Sequence, residues 1–319
     1  MNEQIFEVIG NDGLVRRGIL SLPRRASGLT VLLLPAGLKY HVGPHRLNVR
    51  LARWLADNGH LVLRFDPLGI GESDGHLDTA MTNELWYRIC LGYFVADTLL
   101  ACKSLRERFK VSRLILIGLC GGGITAQLAA AEAPHLIQGI ISIGIAVTLP
   151  NIGGSVTISS NVARQHMHSY IDKLSSKDAW ARIIRGETDF RNMLKIVKTA
   201  LVSKVSRSAS SVNNDALPNE NPLFIESFRQ LQYHDIKHLL VFGKSDNRWL
   251  EFNTGILKRY LYQPVGLNYE VCVIPDANHE LQFEPWKQKA MEEIEHWLAK
   301  YFPFGPSEID ISNLSKESG

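Results

Sequence analysis

The sequence lacks the features that would place it in a specialised class of protein. Its 35 basic and 32 acidic residues leave a net charge of only +3, too small to indicate nucleic-acid binding. No apolar run is long enough to span a bilayer, and residues 1–4 lack the basic-then-apolar pattern of an export signal. There are no internal repeats. We therefore expect a cytoplasmic globular protein without a membrane span.

Cysteine is also scarce, and its spacing is uninformative for metal binding. The four cysteines form no C-x-x-C pair and no zinc-like cluster with histidine. Free thiols fit a reducing compartment. We predict neither a metal site nor a cofactor. The four residues are Cys90, Cys102, Cys120 and Cys272.

One stretch, 113–131, carries the strongest functional signal. It begins as a short apolar run of the length of a buried strand, breaks into Gly118-x-Cys120-x-Gly122, and continues as a small-residue helix. Strand, tight turn and helix are the context of a nucleophile elbow, where the central side chain is exposed at the helix N-terminus. Serine is usual there, but a helix N-terminus also favours a reactive thiolate. We predict that Cys120 is the nucleophile; the alternative is a small buried residue in a packing turn.

The rest of the chain alternates strands and helices. Strands are predicted over 4–10, 14–22, 30–35, 60–66, 113–118, 139–145, 239–243 and 269–274, and helices over 45–58, 83–109, 124–131, 248–261 and 284–301. This pattern predicts an α/β fold with a mostly parallel central sheet flanked by helices, and a functional site at the carboxyl ends of its strands.

Regular alternation stops near residue 148. We predict a core over 1–147 and 236–303, a helical cap inserted at 148–235, and a disordered tail over 304–319. Because the insertion follows the strand after the elbow helix, it would cover the edge of the sheet where Cys120 emerges.

Acyl transfer through a thiol needs a base and an acid that orients the base. Asp246 follows strand 239–243 and His279 follows strand 269–274, so both lie beyond the carboxyl end of a strand and after the nucleophile. We predict that they complete the catalytic site. Glu251 and Asp276 are the competing acids, and Asp246 could instead cap a helix.

Backbone amides are the expected oxyanion donors. One is the N–H of Gly121, and the second comes from the loop after strand 30–35, at Gly37 or Leu38.

Three other polar residues lie near the predicted site in the sequence. Asp66 is predicted to brace a turn, and His41 and His45 are predicted to be loop residues that could contact substrate.

With these residues placed, the chain resembles the α/β-hydrolases that carry a helical cap, over nearly all of 14–302. The motif Asp66-x-x-Gly69-x-Gly71-x-Ser73 resembles a turn of serine aminopeptidase-like and monoglyceride lipase-like members. Residues 42–47, 63–73 and 118–120 are similar to hydrolases encoded beside exosortase genes. The cysteine at the elbow also resembles that of dienelactone hydrolases. Those enzymes resemble a minimal domain without a cap, so the predicted insertion argues against membership of that group.

Three functions follow from these predictions. The first is hydrolysis of an ester or thioester through an acyl-Cys120 intermediate. The second is an acyltransferase that moves an acyl or aminoacyl group between thiol carriers, as the resemblance to cysteine-elbow transferases implies. The third is a non-catalytic binding protein with a decayed site, which the ordered set Cys120, Asp246 and His279 disfavours.

A basic segment suggests a partner for the predicted cap. Residues 164–207 contain ten Lys and Arg against four Asp and Glu. A solvated helix face explains such an excess, and so does an anionic partner such as coenzyme A or an acyl carrier protein.

Overall fold

The computed structural model describes residues 2–77, 82–150, 219–258 and 268–305. Its centre is an eight-stranded sheet in the order β1-β2-β4-β3-β5-β6-β7-β8. The first two strands pair antiparallel with each other, and β2 pairs antiparallel with β4, whereas all later pairs are parallel. The strands are Asn2–Ile9, Val15–Leu22, Leu29–Leu34, Leu61–Asp66, Arg113–Leu119, Gly139–Ile143, Lys237–Gly243 and Tyr269–Ile274.

Helices cover the sheet on both faces. A 3₁₀ turn at Pro44–Arg46 precedes the first helix, and a π-helical turn at Phe252–Leu257 continues the sixth. In chain order, α1 to α7 are Leu47–Asp57, Thr82–Cys90, Val95–Phe109, Gly121–Glu132, Pro222–Tyr233, Asn247–Glu251 and Glu284–Tyr301.

The core is split by the sheet into two layers, as the side chains of β3 show. Leu32 and Leu34 pack into the cluster that contains residues of α3 and α4, whereas Val31 and Leu33 pack into the cluster with residues of α1 and α7. A strand that is buried on both faces needs an uninterrupted apolar sequence, which explains why this strand shows no polar alternation. The parallel sheet predicted from the sequence is confirmed.

The predicted helix over 83–109 is wrong in one respect, because the chain forms two helices there. They are bent by 53° at the break between α2 and α3. Gly92 lies in the break with φ +98°, a conformation that a helix does not contain. Of the described helices, none alone has the length and apolar character of a membrane span, although this bent pair together reaches that threshold.

The predicted cap and tail fall largely outside the described residues, at 151–218 and 306–319. The residues that flank 151–218 pair with each other: Thr148 bridges Glu220, and Leu149 N–H donates to the Asn219 carbonyl at 2.7 Å. The last part of the predicted insertion forms α5, whose Phe224 belongs to a buried cluster with Ile124 of α4. The proposed domain boundaries stay a prediction.

Candidate active site

Cys120 occupies a sharp turn between β5 and α4. Its backbone is held at φ 54°, ψ −113°, outside the usual regions for a residue with a side chain, and its N–H donates to the Ile143 carbonyl at 2.8 Å. The two flanking glycines permit this turn. A Cβ on Gly118 would lie 2.1 Å from the Gly122 carbonyl carbon, and one on Gly122 would lie 2.5 Å from the Pro35 oxygen. The structure therefore has the predicted elbow with cysteine at its apex.

His279 and Asp246 meet beside this elbow. His279 Nδ1 lies 2.8 Å from Asp246 Oδ2, which leaves the other ring nitrogen for Cys120. The second carboxylate oxygen of Asp246 accepts the backbone N–H of Arg248 at 2.9 Å and so caps α6. Both interpretations of Asp246, helix cap and partner of the histidine, describe real contacts of the same side chain.

The pKa of His279 reflects these neighbours. Burial alone would lower this pKa, but the interactions of the ring with Asp246 and with Cys120 outweigh burial and raise it to about 10. The imidazole is therefore protonated at neutral pH. A protonated imidazole in contact with the cysteine can donate a proton to a leaving group, as acyl transfer through a thiol requires.

The two competing acids are engaged elsewhere. Glu251 Oε2 accepts from Arg248 Nη1 at 2.9 Å and from Thr148 Oγ1 at 3.1 Å. Asp276 is exposed in its turn, and within the described part of the chain it makes no hydrogen bond to His279. Of the three candidates, only Asp246 contacts the histidine.

Arg248 is a neighbour of the site that the sequence did not reveal. Burial lowers the pKa of its guanidinium, but attraction to Glu251 and to a thiolate at Cys120 raises that pKa overall. Its Nη1 also donates a hydrogen bond to Thr148 Oγ1 at 3.1 Å. A positive group thus interacts electrostatically with Cys120. No motif marked this arginine, because its position depends on folding of the loop after β7.

The predicted oxyanion donors lie together. A Cβ on Gly121 would come within 3.1 Å of Gly37 Cα, so the two backbones are in contact. Gly37 N–H already donates to the Pro35 carbonyl at 2.9 Å, whereas Leu38 N–H forms no hydrogen bond within the described residues. Of the two alternatives, Leu38 therefore has the available donor. The indole of Trp86 on α2 lies over both glycines, a contact that amphipathic helix patterning did not indicate.

Gly144, directly after β6, is a second position that sequence reasoning missed. It has φ +52°, and a Cβ there would lie 2.9 Å from His279 Nδ1 and 3.0 Å from Asp246 Oδ2. The absence of a side chain at this residue leaves room for the His279–Asp246 pair. A glycine inside the predicted strand 139–145 gives no sign of this role.

The histidines of the loop after β3 have different environments. His41 is not a free loop residue, since its N–H and its Nδ1 lie 2.6 and 2.7 Å from the two carboxylate oxygens of the buried Asp66. Asp66 also holds its own turn, because its carbonyl accepts from Ser73 Oγ at 2.6 Å. His45 is exposed and lies 3.1 Å from Glu280. The turn-bracing role predicted for Asp66 agrees with these contacts.

The basic segment 164–207 lies outside the described residues, so its partner stays a prediction. Among the described residues, no group of three or more His, Cys, Asp or Glu side chains is arranged to hold a metal ion.

Residues 30–285 match the family described as alpha/beta hydrolase fold. The chain belongs to this family. The predicted resemblance to the α/β-hydrolases is thereby confirmed. No curated protein matches the sequence.

Solved structures with the α/β-hydrolase fold are similar to more than nine-tenths of the chain at low identity. A Pyrococcus furiosus esterase is 15% identical over 95% of this chain and 92% of its own, with a TM-score of 0.56. The thioesterase domain of the curacin biosynthetic pathway is 14% identical over 92% and 100%, with a TM-score of 0.52. A dienelactone hydrolase from Anabaena variabilis is 15% identical over 94% and 99%, with a TM-score of 0.54. These similarities establish the fold alone.

Proposed function

We propose that this α/β-hydrolase fold protein cleaves an ester or thioester through an acyl-enzyme formed on Cys120. The observation that carries the proposal is the His279–Asp246 contact of 2.8 Å beside a cysteine at the apex of the elbow. A thiol nucleophile, an imidazole base and an orienting carboxylate are the groups that acyl transfer requires. The esterase and thioesterase activities named for structural neighbours are consistent with it.

In the proposed first step, the Cys120 thiolate adds to the substrate carbonyl. The developing oxyanion accepts hydrogen bonds from the N–H groups of Gly121 and Leu38, and the N-terminus of α4 adds a favourable dipole. The protonated His279 then donates its proton to the leaving oxygen or sulfur as the carbon–heteroatom bond breaks. Asp246 holds the ring in orientation through Nδ1.

In the second step, His279 is neutral and acts as a base. It removes a proton from water, which attacks the acyl carbon, and the thiolate leaves with its electron pair.

The second candidate function, transfer to another thiol, is favoured by the nucleophile itself. An acyl-cysteine is a thioester, so exchange with an acceptor thiol is nearly balanced in free energy. Coenzyme A and an acyl carrier protein are the corresponding partners.

Mass spectrometry of the intact protein tests both functions. The protein is incubated with a panel of acyl thioesters and activated esters, and we expect an acyl adduct on the wild type but not on Cys120→Ala. Adding a thiol acceptor to the labelled protein then separates the two candidates. Release of free acid indicates hydrolysis, and formation of a new thioester indicates transfer. Turnover by Cys120→Ala at the wild-type rate contradicts the proposed mechanism.

A further inference from the structure

A groove outside the catalytic site runs between α1 and α7. Its volume is about 510 Å³, and three arginines of its lining follow one side of α1: Arg46, Arg50 and Arg53. Trp54 contributes an aromatic surface, and Asp57 is the one carboxylate among its lining residues. The groove is therefore concave, mainly basic and partly aromatic.

The positive charge of this groove is only partly neutralised. Arg50 pairs with Glu284 through both of its Nη atoms, with Nη1 donating to Oε2 at 2.6 Å, and Arg53 Nη2 lies 3.3 Å from Glu3. Arg46 is exposed and forms no hydrogen bond or ion pair with the described residues. Since arginine is charged at every physiological pH, one guanidinium stands available for an anion.

A buried arginine increases the positive potential. Arg64 on β4 is 4% exposed, and its Nη2 shares Glu3 with Arg53, at 3.2 Å. Its Nε is buried and has no acceptor among the described residues. Burial lowers the pKa of Arg64, attraction to Glu3 opposes this shift, and the charges of Arg53 and Arg46 lower the pKa further. Electrostatic repulsion among these arginines would be relieved by an anion in the groove.

The backbone at the head of the groove is strained. His45 (φ 48°, ψ 33°) and Arg46 (φ 58°, ψ 27°) are consecutive left-handed residues, and neither is glycine. Strain of this kind persists where the surrounding structure holds it, frequently at ligand sites. His45 Nε2 lies 3.1 Å from Oε2 of Glu280, the neighbour of His279, so the head of the groove adjoins the catalytic edge of the sheet.

We propose that this groove binds a nucleoside phosphate, with phosphate oxygens on Arg46 and Arg50 and the base against Trp54. Guanidinium groups match phosphate oxygens in a bidentate geometry, and an indole provides a stacking surface for any base. A free nucleotide and the adenosine 3′,5′-diphosphate end of coenzyme A share this chemistry. Binding here does not require the proposed acyl transfer.

Calorimetric titration of the full chain tests the proposal. The probes are adenosine 3′,5′-diphosphate, ADP, coenzyme A, adenosine and inorganic pyrophosphate. We expect the nucleotides to bind more tightly than adenosine or pyrophosphate alone, since both halves of the groove are used. If coenzyme A and the 3′,5′-diphosphate bind more tightly than ADP, the nucleoside phosphate that the groove binds is that of coenzyme A. Cys120→Ala should bind as the wild type does, which separates this site from the catalytic proposal.

Variants provide the matched controls. Arg46→Glu should weaken nucleotide binding by about tenfold or more, because a favourable phosphate contact is replaced by repulsion. Arg24→Glu makes the same charge change at an exposed arginine without a hydrogen-bond or ion-pair partner among the described residues and should have little effect. Trp54→Leu should reduce the preference for ADP over pyrophosphate. Unchanged binding by Arg46→Glu, equal losses in both arginine variants, or pyrophosphate binding as tight as ADP would overturn the proposal.

Discussion

Gly144 lies so close to His279 that a single methyl group does not fit between them. A Cβ at residue 144 would be 2.9 Å from Nδ1 of the histidine. Gly144→Ala should therefore displace the imidazole and reduce kcat strongly. The left-handed φ of +52° adds a destabilisation of about 1–2 kcal/mol.

Gly13→Ala is the matched control for this variant. Gly13 also has a left-handed φ, +74°, but a Cβ there meets nothing within 4 Å. Both variants should lower Tm in thermal unfolding, and only Gly144→Ala should lose activity. Equal kcat values in the two variants would show that the space beside His279 is not needed.

Selective alkylation is expected at Cys120. Burial raises the pKa of Cys90 and Cys272 to about 11 and that of Cys102 to about 12, so these thiols are protonated at neutral pH. Cys120 faces a protonated imidazole instead. Iodoacetamide at limiting concentration should modify Cys120 first, as measured by peptide mass spectrometry.

Cys272 is the most demanding comparison for this experiment, since it is the least buried of the other three. Preferential labelling of Cys272 would contradict the assignment of Cys120 as the reactive thiol.

Two substitutions of Asp246 separate the effect of its contact with His279 from the effect of its cap on α6. Asp246→Asn keeps a side chain that caps α6 but loses the charge that orients and stabilises the imidazolium, so kcat should fall by about 100-fold with little change in stability. Asp246→Ala should lose the same activity and also about 1 kcal/mol of stability. Urea unfolding and steady-state kinetics measure the two effects.

Glu251→Gln is the control that tests whether Asp246 or Glu251 orients His279. Glu251 contacts Arg248 and Thr148 rather than His279, so this variant should retain more activity than Asp246→Asn. The opposite order would transfer the orienting role to Glu251.

The pKa of His279 should fall when its neighbour is removed. In Cys120→Ala the thiolate no longer stabilises the imidazolium, so the pKa of His279 should drop below about 10.

In the wild type, the raised pKa of His279 means that the folded protein binds this proton more tightly than the unfolded chain does. Its stabilisation is fully present below pH 6.5 and is lost as pH rises through about 10.

Nuclear magnetic resonance titration of the histidine ring protons measures this change. His238, whose burial lowers its pKa to about 3, should show no titration in either protein between pH 5 and 11 and serves as an internal reference. An identical His279 titration in both proteins would remove Cys120 from contact with the ring.

The sequence predicted the parallel sheet and the elbow because both depend on local patterns. Apolar runs such as 114–117 and the glycines around Cys120 encode strand and turn directly. Chain order also predicted which acid and histidine lie together, since the ends of parallel strands share one edge. Their catalytic roles stay predictions.

Other features depend on contacts between distant segments and could not be predicted. The space at Gly144, the position of Arg248 and the indole of Trp86 over Gly37 depend on how loops and helices pack. The groove between α1 and α7 is formed by elements separated by more than half of the chain. The break in the predicted helix 83–109 was marked only by one glycine, which helices can tolerate.

The order of the strands fixes the span of the catalytic site. Cys120 follows β5, Asp246 follows β7 and His279 follows β8, and β6 lies between the nucleophile and its two partners. Neighbouring strands are about 4.8 Å apart, a spacing set by backbone hydrogen bonds. The imidazole must bridge a strand that contributes no reacting group. Core substitutions do not change this strand spacing, so the distance between thiol and base is adjusted by the loops after β6, β7 and β8, which contain Gly144, Asp246 and His279.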